Sequence, residues 1–216
     1  MAMARARPAD KSGARERMLD AAEGLLAEHG IDGVSLRQIG AATGQGNNSA
    51  VQYYFGDKAG LVREIIARRV ASFEPRRRAM FSEAEQQGSL ADVPTLLAIL
   101  FLPLTEATDS TGRHVYVRFM IQFLTRFQYQ PGIAHPGWGP DSAATRAVTL
   151  LAERLPFLKG EALATRINRA GGLFFNAVID RDNARAHGRA VESDAAFFAE
   201  IFAMMSAAVQ TRIAGA

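Results

Sequence analysis

Residues 35–58, SLRQIGAATGQGNNSAVQYYFGDK, constrain the fold more tightly than any other stretch of this chain. Ser35 and Gln38 have the S-x-x-Q spacing of a capping box. There the serine side chain accepts from an exposed backbone N–H and the glutamine reaches back to the cap. A helix therefore starts at this point, and Leu36, Ile39 and Ala42 give it one apolar face. Gly44 and Gly46 end it, because only glycine takes the left-handed conformation at little cost. Asn47, Asn48 or Ser49 can cap a second helix. Within that helix Val51 and Phe55 lie four apart and turn inward together. Ser49, Ala50, Gln52, Tyr53 and Tyr54 remain outward. They form a short, neutral, hydrogen-bonding surface that suits base edges in a major groove.

The flanks support this hook. Leu19, Ala22, Leu25 and Leu26 recur at helical spacing and predict a helix over 12–29, which Gly30 ends. Residues 1–11 read as a flexible basic tail in which Arg5, Arg7 and Lys11 are either solvated or reach toward phosphates. On the far side, Asp57 caps a helix through Leu61, Ile65, Ile66 and Val70, with Lys58 in its first turn. Pro75 kinks or ends that helix, because it lacks an N–H and crowds the preceding turn. The triplet Arg76-Arg77-Arg78 that follows reads as a solvated face.

The run VSLRQIG at 34–40, followed by VQYYFGDKAGL at 51–61, resembles the DNA-binding domain of TetR-family transcriptional regulators. The likeness extends over about residues 14–65. The turn at 45–48 is one residue longer than the usual family turn, and Gln52 stands where the family most often has tyrosine. The resemblance implies a helix-turn-helix domain over 12–57 and an effector-binding and dimerisation domain over 58–216. It also implies a homodimer built from the last two helices as a four-helix bundle. Ser35, Asn48, Ser49, Tyr54 and Lys58 match family positions at the DNA surface. Ser35, Tyr54 and Lys58 are assigned to phosphate, Asn48 and Ser49 are left open, and Tyr53 is read as partly buried support. Side-chain chemistry nominates Arg37 for guanine and Gln52 for adenine.

The remainder is apolar and helical. Of 216 residues, 48% are hydrophobic, enough for a real core. There is no cysteine, which removes disulfides and thiolate metal sites and suits a cytoplasmic location. The apolar run near Leu96–Leu102 is too short to span a bilayer. Residues 1–80 carry 13 Lys/Arg against 9 Asp/Glu, a balance of +4, and residues 81–216 carry 12 against 13, a balance of −1. The positive excess therefore lies with the hook, where a polyanion would dock. A helix over 114–130 is apolar more than halfway round. Its Phe119, Phe123 and Phe127, with Trp138 beyond it, are either core or the lining of a ligand pocket, with Arg113, His114, Tyr116, Gln122 or Arg126 as polar partners. Residues 130–142 make a long loop. The helices predicted over 161–184 and 192–213 are broadly apolar, and Gly171-Gly172 suggests close approach of a neighbour.

The four histidines lack metal-ligand spacing, and no phosphate-cradling loop or nucleophile elbow occurs. The expected molecule is all-α: a three-helix DNA-binding head on a larger helical body. It is read as a non-enzymatic, cofactor-free, ligand-responsive repressor. It would act as a homodimer on a near-palindromic double-stranded DNA operator, with no membrane partner. A helical carrier or enzyme without specific DNA binding is the alternative.

Overall fold

The computed structural model describes residues 8–44, 49–127 and 139–212. Among these the chain is all-α and contains no strand. The head comprises α1 (Pro8–His29), α2 (Leu36–Ala42) and α3 (Ser49–Phe55). The body comprises α4 (Lys58–Gln86), α5 (Val93–Phe101), a 3-10 turn (Leu102–Glu106), α6 (Val115–Gln122), a π turn (Phe123–Phe127), α7 (Ala143–Arg154), α8 (Glu161–Ala186) and α9 (Asp194–Gln210). No helix among the described residues is long and apolar enough to cross a membrane.

Buried positions on α1 recur at helical spacing: Met18, Leu19, Ala22 and Leu26 form one stripe. That stripe belongs to the same hydrophobic cluster as Val51 and Phe55 of α3 and the cores of α5, α6, α8 and α9. Head and body thus share one core. Its principal packings are α1 on α6, α5 on α7 and α9, and α8 on α6 and α9.

Three expectations are corrected here. α1 begins at Pro8 rather than Ser12. Proline is well placed at the first position of a helix, where its missing N–H would have had no partner. Part of the expected tail is therefore helical, and Arg5 and Arg7 lie outside the described residues. Next, Pro75 does not end its helix, because α4 runs through it for 29 residues. The buried face continues on both sides of the proline, through Phe73, Arg77, Phe81 and Ala84, and this packing outweighs the lost hydrogen bond. Finally, the arginine triplet is not a uniformly solvated face. Arg76 pairs with Glu106 at 3.2 Å and Arg78 with Glu74 at 2.9 Å, but Arg77 is only 3% exposed. At about 100° per residue, three successive positions cannot share one face.

The remaining boundaries fall close to expectation. Asp92 precedes α5, Ser142 caps α7 by accepting from the Thr145 N–H, and Ser193 caps α9 through the Ala196 N–H. The helix predicted over 114–130 divides into α6 and the π turn, and residues 128–138 lie outside the described region.

Candidate nucleic-acid interface and the cavity behind it

The hook is held by its own caps. The Gln38 N–H donates to Ser35 Oγ at 3.3 Å, and the Ser35 N–H donates to Gln38 Oε1 at 2.8 Å. The Ser35 hydroxyl also donates to Gln38 Oε1, at 2.8 Å. This closes the reciprocal box predicted from the sequence. Gly44, at φ +71°, turns the chain out of α2. Asp57 caps α4 by accepting from the Gly60 N–H at 2.7 Å. Position 60 admits nothing larger than glycine, since a Cβ there would lie 2.0 Å from the Phe55 carbonyl oxygen. The end of α3 and the start of α4 are therefore in direct backbone contact.

Val51 and Phe55 are buried, and this fixes the rotation of α3. Gln52 is exposed beside Tyr53, which at 74% exposure is the most outward large side chain of the helix. Tyr54 is half-buried and packs against the core. It meets Tyr53 edge-on at 5.2 Å between centroids and Phe55 at 6.1 Å. The two tyrosines therefore exchange the environments that family position implied for them. Tyr53 lies two residues past Val51, about 200° round the helix, whereas Tyr54 returns toward the inward side. The phase set by Val51 and Phe55 keeps Tyr53 outward as read from the sequence, but leaves Tyr54 only half-exposed.

Arg37 and Ser35 are exposed on and before α2, on the solvent side of the hook. Lys58 is half-buried, and its ammonium donates to the Ile31 carbonyl at 2.9 Å. An ammonium has three donors, so this contact orients Lys58 without exhausting it. Asn48 and the side chain of Ser49 lie outside the described residues. Behind the hook, three arginines of α1 and α4 are engaged with carboxylates. Arg15 pairs with Glu64, and Arg68 with Asp20 at 2.7 Å. Arg68 and Arg69 converge on Glu23, which is 1% exposed, at 2.7 and 2.9 Å. This buried clamp joins α1 to α4.

Residues 18–65 match the family described as bacterial regulatory proteins, tetR family. The matched segment runs from within α1 to the second turn of α4 and contains the whole hook. Over these residues the chain matches the DNA-binding segment of that family. No curated protein matches it. Among solved structures, a candidate transcriptional regulator from Rhodococcus sp. RHA1 is similar at a TM-score of 0.41 and 21% identity, with 91% of this chain and 95% of that chain covered. That likeness is too distant to argue from.

Beyond the matched segment, the body contains a cavity of about 340 Å³. Val70, Phe73 and Arg77 of α4 form one wall, and Leu100, Phe101 and Leu104 a second. Tyr116, Met120, Phe123 and Leu124 line it from α6 and the π turn, and Ile167, Asn168, Gly171 and Phe175 from α8. Of the residues nominated from sequence, Tyr116 and Phe123 are on the wall. Phe119 is not; it is wholly buried and stacks on Tyr116 at 5.9 Å. The Phe127 side chain and Trp138 lie outside the described residues. Two of the nominated polar partners are engaged elsewhere. Arg113 binds Asp109 at 3.1 Å, and His114 binds Asp182 at 2.8 Å. The cavity's polar groups are Tyr116, as nominated, together with Arg77 and Asn168. Burial holds the Tyr116 phenol well above the usual tyrosine range, so it stays protonated.

The Gly171-Gly172 pair divides by role. A Cβ at 171 would lie 2.8 Å from the Phe101 ring, whereas one at 172 would meet nothing within 4 Å. The close neighbour is thus an aromatic ring in the cavity wall rather than another helix backbone.

Proposed function

We propose that this chain is a ligand-responsive TetR-family repressor that binds a near-palindromic operator as a homodimer. In this reading Arg37 and Gln52 contact base edges. Ser35, Tyr54 and Lys58 approach phosphates, with Tyr53 beside them, and Asn48 and Ser49 are further candidates for DNA contact. The exposure of Arg37, Gln52 and Tyr53 on one capped hook supports this assignment.

The observation that carries the ligand response is the packing of α6. The same helix lines the cavity and lies along α1 of the head. At its end, the Gln122 side chain faces the turn at Gly30, where a Cβ would lie 3.4 Å from Oε1. A ligand that fits the cavity better in one placement of α6 would shift the placement of α1. Only such differential affinity can move the equilibrium.

The homodimer reading is supported by the outer face of α9. Ala195, Ala199, Ala203 and Ala207 are exposed along it, and Met204 is 49% exposed beside them. Leu173 and Ala177 of α8 are half-buried. Two copies joined there would present two hooks about 34 Å or a multiple apart along DNA. The test is fluorescence anisotropy on the DNA upstream of the protein's own coding region, with and without extracted metabolites. Sequence-selective binding weakened by one fraction is the expected result. Binding indifferent to DNA sequence and to every fraction would refute the reading.

A further inference from the structure

We propose that the cavity takes a small, uncharged apolar molecule whose one acceptor oxygen, of the ketone or ester kind, is held by the hydroxyl of Tyr116. The proposal rests on the reading of this cavity as the effector site and adds the chemistry of its occupant.

Tyr116 is 2% exposed, and packing surrounds its ring. Phe73 lies at 5.3 Å and Phe119 at 5.9 Å between centroids, and the Arg69 guanidinium stands 6.0 Å from the ring centre. The hydroxyl makes no hydrogen bond to any described residue. Nor is its oxygen sealed inside protein, as the Nε atoms of Arg118 and Arg181 are. It therefore borders open space, and the space that Tyr116 lines is the cavity. A hydroxyl buried without a partner costs stability, and an oxygen brought by a ligand recovers it. Burial, with the Glu23 charge adding to it, keeps the phenol protonated, so Tyr116 enters that bond as the donor.

The other polar groups of the wall do not call for a charged ligand. Arg77 Nη2 donates to the Leu100 carbonyl at 3.1 Å, and the Glu74 carboxylate acts on the same guanidinium electrostatically. That cation is thus answered within the protein. Asn168 is exposed, and its amide is open to water at the edge of the space. Phe73, Phe101 and Phe123 line the remainder and suit an apolar body. An anion placed among them would give up its hydration, which costs far more than desolvating one carbonyl oxygen. A cavity of about 340 Å³ holds roughly eleven water volumes at ~30 Å³ each, so the ligand has on the order of a dozen non-hydrogen atoms.

The test is calorimetric titration of the full chain with 4-phenylbutan-2-one, butylbenzene and 4-phenylbutyrate, which share a body and differ at its far end. The ketone and the hydrocarbon are expected to bind, and the acid more weakly than the ketone. Tyr116→Phe should weaken the ketone about three- to tenfold and leave butylbenzene unchanged. On the unaltered protein, the carbonyl stretch of the bound ketone should fall below its position in hexane, the infrared mark of an accepted hydrogen bond. Gly171→Leu, which fills the cavity beside Phe101, should block both compounds. Folding of each variant is checked by circular dichroism, and the infrared measurement decides if Tyr116→Phe fails to fold. Three results would each overturn the hydrogen-bond assignment and leave the effector cavity standing: a loss of ketone no greater than that of hydrocarbon in folded Tyr116→Phe, a hexane-like carbonyl frequency, or a ketone that fails to bind where the hydrocarbon binds. An acid that binds more tightly than the ketone would overturn the uncharged class. Binding of neither ketone nor hydrocarbon, or binding that a folded Gly171→Leu leaves intact, would remove the effector cavity and the proposal with it.

Discussion

Gln52 and Tyr53 stand side by side on α3, yet they are suited to different tasks. An amide can pair with one base edge in two directions at once, whereas a phenol contacts phosphate without reading sequence. Gln52→Ala is therefore expected to relax preference at one operator position and to cost about 1–3 kcal/mol there. Lys58→Met should weaken every sequence alike and flatten the salt dependence by about one counterion. Anisotropy titrations at several salt concentrations, on the operator and on single-base variants, separate the two effects. A different constraint acts at position 60. Gly60→Ala drives a methyl into the Phe55 carbonyl and should cost about 1–3 kcal/mol in urea denaturation, the usual price of overpacking. Most of this surface was legible, because Val51 and Phe55 set the phase of α3 and Ser35 with Gln38 set the start of α2. The expected partial burial of Tyr53, taken from family position, is overturned because helical phase turns its side chain to solvent. The Lys58 contact with the Ile31 carbonyl was not legible, since it spans 27 residues and leaves no local pattern.

At the scale of elements, two polar clasps lock helices that are distant in sequence. Glu23 on α1 receives Arg68 and Arg69 of α4. Glu23→Gln leaves two cations facing a neutral amide. The arginines retain 20–25% exposure, so the expected loss is about 2–3 kcal/mol, below that of a fully buried pair. Urea denaturation measures it. The second clasp joins α6 to α8. Asp182 accepts from the His114 backbone N–H at 2.9 Å and binds its ring at 2.8 Å, with Arg118 at 3.9 Å. Burial raises the Asp182 pKa, but the hydrogen bonds and charges of His114 and Arg118 outweigh it and leave it below the ordinary 3.8. A depressed carboxyl contributes stability that is complete above its unfolded value. That contribution should decline as pH falls below about 4 and be absent in Asp182→Asn. Denaturation midpoints between pH 3 and 6 check it. The caps and glycine stops of these helices were readable because they act within a turn. Continuity through Pro75 and the burial of Arg77 were not, because packing against α5 and α7 decides them.

For the whole molecule, the strongest sequence expectation was an all-α head-and-body chain, and the two parts share one core. The cavity was foreseen in the right half of the chain and on the right helix, through Tyr116 and Phe123. Its charged wall was missed because a run of three arginines looks alike from sequence and only α4's rotation distinguishes them. The α9 face gives a prediction at this scale. Ala203→Glu, placed on the exposed stripe, should convert a dimer to a monomer in sedimentation velocity and weaken operator binding about tenfold or more. A dimer that survives the change locates the joint elsewhere. The ring of Phe101 against the bare backbone of Gly171 has a consequence on a longer timescale. The two positions divide a fixed volume, so neither can drift alone. Lineages that gain a methyl at 171 should have given up the phenyl at 101, and paired exchange of this kind would record where the shape of the cavity changed.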